Sequence, residues 1–193
     1  MMARRYAAEL TRLPMLAVFE ARGREADLAA AMQKSGLKLP PTLNRAEDSK
    51  SRCRILRLGP RRALVLADAD FEPRLDGRLA QGFATAAAAD YALVSDMLVA
   101  FQIKGSGSED VLRQGAPLDL SIERFPPGSC AATDLWSASV IVIREAGEAP
   151  QFTLLVERSY AGYIEDWLTV ASGGDSTLRP GTMISPPASF RTS

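Results

Sequence analysis

The chain has 193 residues, and its 23 Lys and Arg balance 23 Asp and Glu, so the formal net charge is zero. That balance argues against whole-molecule attraction to nucleic acid or to an anionic membrane. Histidine is absent, which excludes the Ser-His-Asp triad, the Cys-His dyad and every histidine-ligated metal or haem site.

The opening stretch MMARRYAAELTRL carries Glu9 and Arg12 inside any apolar run, so it does not read as a signal peptide. No stretch approaches the ~20 apolar residues of a membrane span. A soluble, cytoplasmic chain is expected. Met15–Phe19 is a short apolar run and predicts a strand. Ala26, Leu28, Ala29 and Met32, followed by Gly36, predict a helix over Glu25–Ser35 with a glycine stop. Pro40-Pro41 makes the next segment irregular. Cys53–Leu58 and Ala63–Ala67 read as strands joined through Gly59-Pro60-Arg61-Arg62. Pro73 suits the first turn of a helix running to about Ala84. Tyr91–Ser95 and Met97–Lys104 read as strands.

A helix is expected to open at Gly105–Glu109 and end at Gly115, with Ser106 and Glu109 as a capping box. Residues 116–129 hold three prolines and read as a structured loop. Ala132–Arg144 reads as one long strand, and Phe152–Val156 as its partner after a turn at Gly147–Pro150. Ser159 is expected to cap a final helix with an inner stripe of Tyr163, Ile164, Trp167 and Leu168. The order from Met97 onward is a split βαβ pattern with one more helix, and the first half is a rougher copy. The expected fold is α+β, with two related halves of antiparallel sheet and packed helices. Its divisions are an N-terminal half over residues 1–88, a C-terminal half over 89–171 and a flexible or partner-ordered tail over 172–193.

Charge is uneven along the chain. Residues 1–62 hold 14 basic and 6 acidic residues, while 63–193 hold 9 and 17. The basic stretch from Arg45 to Arg62 is either a patch for an acidic partner, with Arg54, Arg57 and Arg61 as contacts, or the solvent face of a strand. It holds no aromatic residue to stack on a base, so nucleic acid is not an expected partner. Gly105-x-Gly107 lies between a strand and a helix, but Asp110 stands where a dinucleotide fingerprint needs its third glycine. Asp119, Glu123, Asp134, Glu165 and Asp166 could do acid–base work if paired, yet nothing in the sequence pairs them. Cys53 and Cys130 read as buried thiols in a reducing compartment, with one disulfide between them as the alternative.

The most informative segment is Gly115-Ala116-Pro117-Leu118-Asp119-Leu120, followed by Phe125-Pro126-Pro127-Gly128-Ser129-Cys130-Ala131-Ala132-Thr133. Its prolines and glycines fix a loop path at low entropic cost. These residues resemble the gamma subunit family of heterotetrameric sarcosine oxidase, as do Phe152-x-Leu154-Leu155-Val156-x-Arg158-Ser159-Tyr160-Ala161-x-Tyr163 and Trp167-Leu168 downstream. Pro41-x-x-Asn44-Arg45, Leu58-Gly59-Pro60 and Ala63–Ala67 fit the family's first half more weakly. The resemblance covers roughly residues 10–170.

The resemblance implies a fold similar to the folate-binding aminomethyltransferases. It implies an accessory role in a flavin-dependent sarcosine oxidase that converts sarcosine to glycine and passes a one-carbon unit to tetrahydrofolate. FAD, FMN, NAD and tetrahydrofolate are then expected on partner subunits, with no catalytic, cofactor-binding or metal residue in this chain. The expected partner is the alpha subunit of an alpha-beta-gamma-delta complex. Contact candidates are Arg54, Arg57, Arg61, Pro117, Phe125, Pro126 and Pro127. The alternatives are a stand-alone folate-binding or one-carbon-transfer protein of the same fold, and an unrelated scaffold that holds an acidic partner.

Overall fold

The computed structural model describes residues 6–174. In chain order the first elements are β1 (Glu9–Arg12), β2 (Leu16–Gly23), α1 (Glu25–Lys34), β3 (Arg45–Ser49), β4 (Cys53–Gly59), β5 (Arg62–Asp68), α2 (Glu72–Phe83) and β6 (Ala89–Leu93). There follow β7 (Leu98–Lys104), α3 (Ser108–Arg113), β8 (Cys130–Leu135), β9 (Ala138–Arg144), β10 (Gln151–Glu157) and α4 (Ala161–Ala171).

Two five-stranded antiparallel sheets form, one in the order β3-β4-β5-β2-β6 and the other β8-β9-β10-β7-β1. Written this way, the orders correspond strand for strand. Each half runs strand, helix, three-stranded meander, short 3-10 turn, helix. The halves differ only at the outer edge. The first sheet closes with β6, which follows α2, whereas the second borrows β1 from the start of the chain. The chain therefore does not divide between the sheets at residue 88. β6 begins at Ala89 and pairs with β2, while Glu9–Arg12 pairs with β7. Of the expected tail, residues 175–193 lie outside the described residues.

The layers follow from which face each apolar side chain occupies. Phe19, Ile55 and Val65 of the first sheet pack against Leu28 and Met32 of α1 and Leu75 and Leu79 of α2. Phe101, Phe152 and Leu154 of the second pack against Leu112 of α3 and Ile164 and Leu168 of α4. The remaining faces meet each other: Val18, Leu56, Leu64 and Leu66 lie against Ala100, Ile141, Ile143 and Leu155. The result is helix, sheet, sheet, helix. Central strands covered on both sides need apolar residues at every position, and Ala63–Ala67 and Val140–Ile143 supply them.

Several local expectations change. The stretch 132–144 is not one strand but a hairpin, because Trp136 and Ser137 both adopt positive φ, 46° and 67°. Two left-handed residues in succession make the tight turn whose twist suits a two-residue hairpin, here without the usual Asn-Gly signal. β3 was invisible because its sequence RAEDS is polar. Ser106 does not cap α3, which starts at Ser108; the Ser108 hydroxyl bonds the carbonyls of Gly105 and Pro150 instead. Ser159 sits in a 3-10 turn and makes no cap for α4. The glycine stop after α1 does form: Gly36 takes φ 70°, and the Leu37 amide donates to Met32.

Gly is the residue best suited to the second left-handed position of the 136–137 turn. Ser137→Gly is therefore expected to stabilise the fold by about 0.5–1 kcal/mol. A rise in denaturant midpoint at constant slope will show it.

Candidate functional site

The basic stretch is mostly spent inside the chain. Arg54 leaves β4 and clamps two carboxylates. Its Nε and Nη2 donate to Asp48 at 2.7 and 3.1 Å, and its Nη1 donates to both Glu145 oxygens at 2.8 and 2.7 Å. Thr153 adds a hydroxyl donor to Glu145 at 2.7 Å. Asp48 lies in the first half and Glu145 follows β9, so one guanidinium ties the sheets together at the rim of their contact. The Asp48 hydrogen bond leads in holding Arg54 more firmly protonated. In return, Arg54 holds the Asp48 carboxyl below its ordinary range.

Arg57 donates to the carbonyls of Pro40 and Pro41 at 2.9 Å each and pairs with Glu25 on α1. It pins the irregular proline segment under the helix. Arg52 pairs with Asp68, and Arg62 with Glu20. Arg61 alone of the three expected contact arginines stands exposed, at the β4–β5 turn. The sequence could not show this, since the acids that neutralise Arg54 and Arg57 include Glu145 and Glu25, 91 and 32 residues away.

The proline-rich loop is also anchored inward. Phe125 is 5% exposed and belongs to the second half's core, beside Leu120. Its ring packs within this chain and is not an exposed anchor for a partner. Pro117, Pro126 and Pro127 remain exposed. Arg144, at the end of β9 and without any motif to mark it in the sequence, organises the loop. Its side chain is buried, lies 5.0 Å from the Phe152 ring centroid, and donates to the Leu120 carbonyl. The end of the loop then crosses to the first half. Ala46 donates to the Gly128 carbonyl at 2.8 Å, and Cys130 donates to Asn44 at 2.9 Å. Gly128 has φ 77°, and a Cβ there would meet the Arg45 guanidinium at 2.9 Å.

Two open clefts flank the contact between the sheets. One, of about 510 Å3, contains the Arg54–Glu145 clamp with Leu16, Leu66 and Gln102. The other, of about 410 Å3, is lined by Arg62, Pro117, Asp134 and Glu157 among others. Neither gathers a nucleophile, a base and an oxyanion donor. Asp119 accepts the Ser121 amide, Asp134 accepts the Ser139 hydroxyl, and Glu165 and Asp166 lie on α4. Burial pushes the Cys130 thiol up to about 12 and raises Cys53 as well, so both stay protonated at neutral pH.

The glycines of Gly105-x-Gly107 do not fit a pyrophosphate. A Cβ at Gly105 would lie 2.2 Å from the Ala7 carbonyl oxygen, and one at Gly107 2.9 Å from the Ala7 amide. The space such glycines open is filled by the chain's own Tyr6–Ala8 segment. Among the described residues no group of three or more Cys, Asp or Glu could hold a metal ion. No described helix is long and apolar enough to cross a membrane.

The family model for the sarcosine oxidase gamma subunit matches residues 22–174. The chain belongs to the sarcosine oxidase gamma subunit family. A chain of the heterotetrameric sarcosine oxidase from Corynebacterium sp. U-96, in complex with pyrrole 2-carboxylate, superposes with TM-score 0.75 at 23% identity, over 92% of this chain and 91% of that one. The glycine cleavage system aminomethyltransferase T from Bartonella henselae superposes with TM-score 0.64 at 13% identity. That match covers 89% of this chain and 48% of the aminomethyltransferase, so this gamma-family chain spans about half of that fold. No curated protein sequence matches the chain. The α+β architecture in two related halves is thus shared with both solved structures.

Two outcomes test the anchoring groups. Arg144→Met keeps the apolar stem but leaves the Leu120 carbonyl unpaired, and is expected to cost about 2 kcal/mol. Hydrogen exchange should quicken across residues 116–129. The second outcome concerns acid. Asp48 is held below its ordinary 3.8 chiefly by the Arg54 hydrogen bond. For Glu20, burial pushes upward from 4.5, but the Arg22 and Arg62 hydrogen bonds outweigh it. Both carboxylates bind protons less tightly folded than unfolded. Their contribution is therefore complete above those ordinary values and is lost as pH falls below them. Denaturant titrations from pH 7 to 2 should show this decline, and Asp48→Asn should flatten part of it.

Proposed function

We propose that this chain is the accessory gamma subunit of a multi-subunit, flavin-dependent sarcosine oxidase. The assembly demethylates sarcosine to glycine and passes the one-carbon unit to tetrahydrofolate. This chain's part is structural: it docks on the alpha subunit within an alpha-beta-gamma-delta complex in the cytoplasm. FAD, FMN, NAD and folate belong to the other subunits. The observation that carries the reading is membership of the gamma subunit family over residues 22–174.

The chemistry of the chain supports a non-catalytic part. Its glycine turn is packed with its own backbone, its thiols are protonated, and its best-placed carboxylates are held in ion pairs. A stand-alone one-carbon-transfer protein is the weaker alternative, because the chain spans only 48% of the aminomethyltransferase it resembles. Arg61, Pro117, Pro126 and Pro127 are the contact candidates that remain exposed. Arg54, Arg57 and Phe125 would support a partner surface from within.

Purified alone, the chain is expected to show no flavin absorbance and no sarcosine-dependent peroxide formation. Co-expressed with the alpha, beta and delta subunits of its organism, it should co-purify in one stoichiometric complex. Flavin bound by the isolated chain, or failure to co-purify, would overturn the reading.

A further inference from the structure

The chain crosses from the second sheet to the first between β1 and β2, and the crossing leaves a small socket. Its floor is apolar and buried: Val18, Ala100 and Leu155. Leu13, held by its amide to the Ala100 carbonyl at 2.9 Å, and Leu98 form walls. The volume is about 110 Å3, the scale of one aliphatic side chain.

Two features around this socket are out of keeping with a solvated surface. Met15, in its wall, is 56% exposed, and Met97, the residue before Leu98, is 60% exposed. They are the two most exposed large apolar side chains among the described residues. Methionine is a side chain that adapts to a partner's shape. The second feature is charge. Arg12 and Arg158 line the socket, and no carboxylate does. Neither arginine takes part in an ion pair among the described residues. Arg12 lies 5.9 Å from the Phe101 ring centroid, and Arg158 donates its Nε to the Asp96 carbonyl at 2.6 Å. Arg22, Arg52, Arg54, Arg57 and Arg62 are paired with acids, while Arg45, Arg61, Arg74, Arg78 and Arg124 share the lack of an ion pair among the described residues; the socket is set apart by holding two such arginines and no carboxylate in its lining.

We infer that this socket is where the chain docks on another subunit of its assembly. The occupant is a segment that inserts one aliphatic side chain and carries carboxylates beside it for Arg12 and Arg158. The apolar insertion resists dissociation, and the two arginines speed encounter. The inference rests on the subunit reading above and adds to it a face and a chemistry. It differs from the basic stretch and the proline loop, whose anchoring groups largely face inward.

The test uses the co-expressed complex. Met15→p-benzoylphenylalanine should photo-crosslink to an acidic, aliphatic-containing segment of another subunit. Arg74→p-benzoylphenylalanine on α2, in the outer layer of the first sheet, should not. Met15→Asp with Met97→Asp should speed dissociation about tenfold or more while the circular dichroism and unfolding midpoint of the free chain stay unchanged. Arg12→Ser with Arg158→Ser should slow association at low salt and reduce its salt dependence. If the complex forms but position 15 crosslinks to nothing, or only to a second copy of this chain, the docking face is wrong and the subunit reading stands. Unchanged rates in both double variants overturn it equally. If no complex forms at all, the subunit reading falls and the docking face falls with it.

Discussion

The fold depends on one contact, the apolar layer in which the two sheets face each other. Each sheet already covers one face with helices, and the second face must be buried as well. Leu56, Leu64 and Leu66 from one sheet and Ile141, Ile143 and Leu155 from the other meet that need. Side chains of this size each contribute about 1.5–3 kcal/mol when fully removed from water. The contact is non-directional, so it does not by itself fix how the sheets sit. The β3–β8 corner and the Arg54–Glu145 clamp supply the direction. Hydrogen bonds from Ala46 and Cys130 join the sheets along one edge. The clamp, with Glu145 only 13% exposed, fixes the rim.

This arrangement explains why the proline-rich segment looks the way it does. It must leave α3, pass Arg144, and arrive at β3 of the other half with a carbonyl aimed at Ala46. Arg144 holds the segment from beneath, Leu120 and Phe125 bury its middle, and Gly128 turns its end with positive φ. Pro117, Pro126 and Pro127 reduce the freedom of the chain before folding. The segment is thus a strut between halves. Its motif density, from which Pro117, Phe125, Pro126 and Pro127 were expected as contacts, reflects two sets of internal constraints met within one loop.

Much of the architecture was legible because central strands covered on both faces write continuous apolar runs into the sequence. Ala63–Ala67, Val140–Ile143 and Phe152–Val156 were readable for that reason, and so was the repetition of two α+β halves. The missed parts have equally physical causes. β3 is a polar edge strand, and β1 owes its place to a pairing partner some 90 residues away. The turn at Trp136-Ser137 lacks glycine or asparagine; Trp136 stacks on Trp167 at 5.8 Å, and its carbonyl accepts the Tyr163 hydroxyl, so tertiary contacts hold what local preference does not. The contact candidates were least legible. Arg54 and Arg57 looked like a solvent-facing patch because charge along a sequence says nothing of which acids the fold brings to it.

Charge concentrated in one stretch of sequence need not stand free on the folded surface. Of the 14 basic residues in 1–62, Arg22, Arg62, Arg57 and Arg54 pair with Glu20, Glu25 and Asp48, which the segment's net +8 already counts, and only Asp68 and Glu145 bring acids from beyond the segment. Exposed pairs of this sort add little stability singly, but each removes a charge from the far field that would otherwise steer association. Among the described arginines that pair with no acid, Arg12 and Arg158 lie together at the socket. They are brought together by the crossing from β1 to β2 and by the end of β10, places set by the pairing of the first strand with the second sheet. An edge strand taken from the start of the chain therefore does two things. It completes the second sheet, and its exit toward β2 opens a socket floored by Val18, Ala100 and Leu155 of the two sheets' shared core.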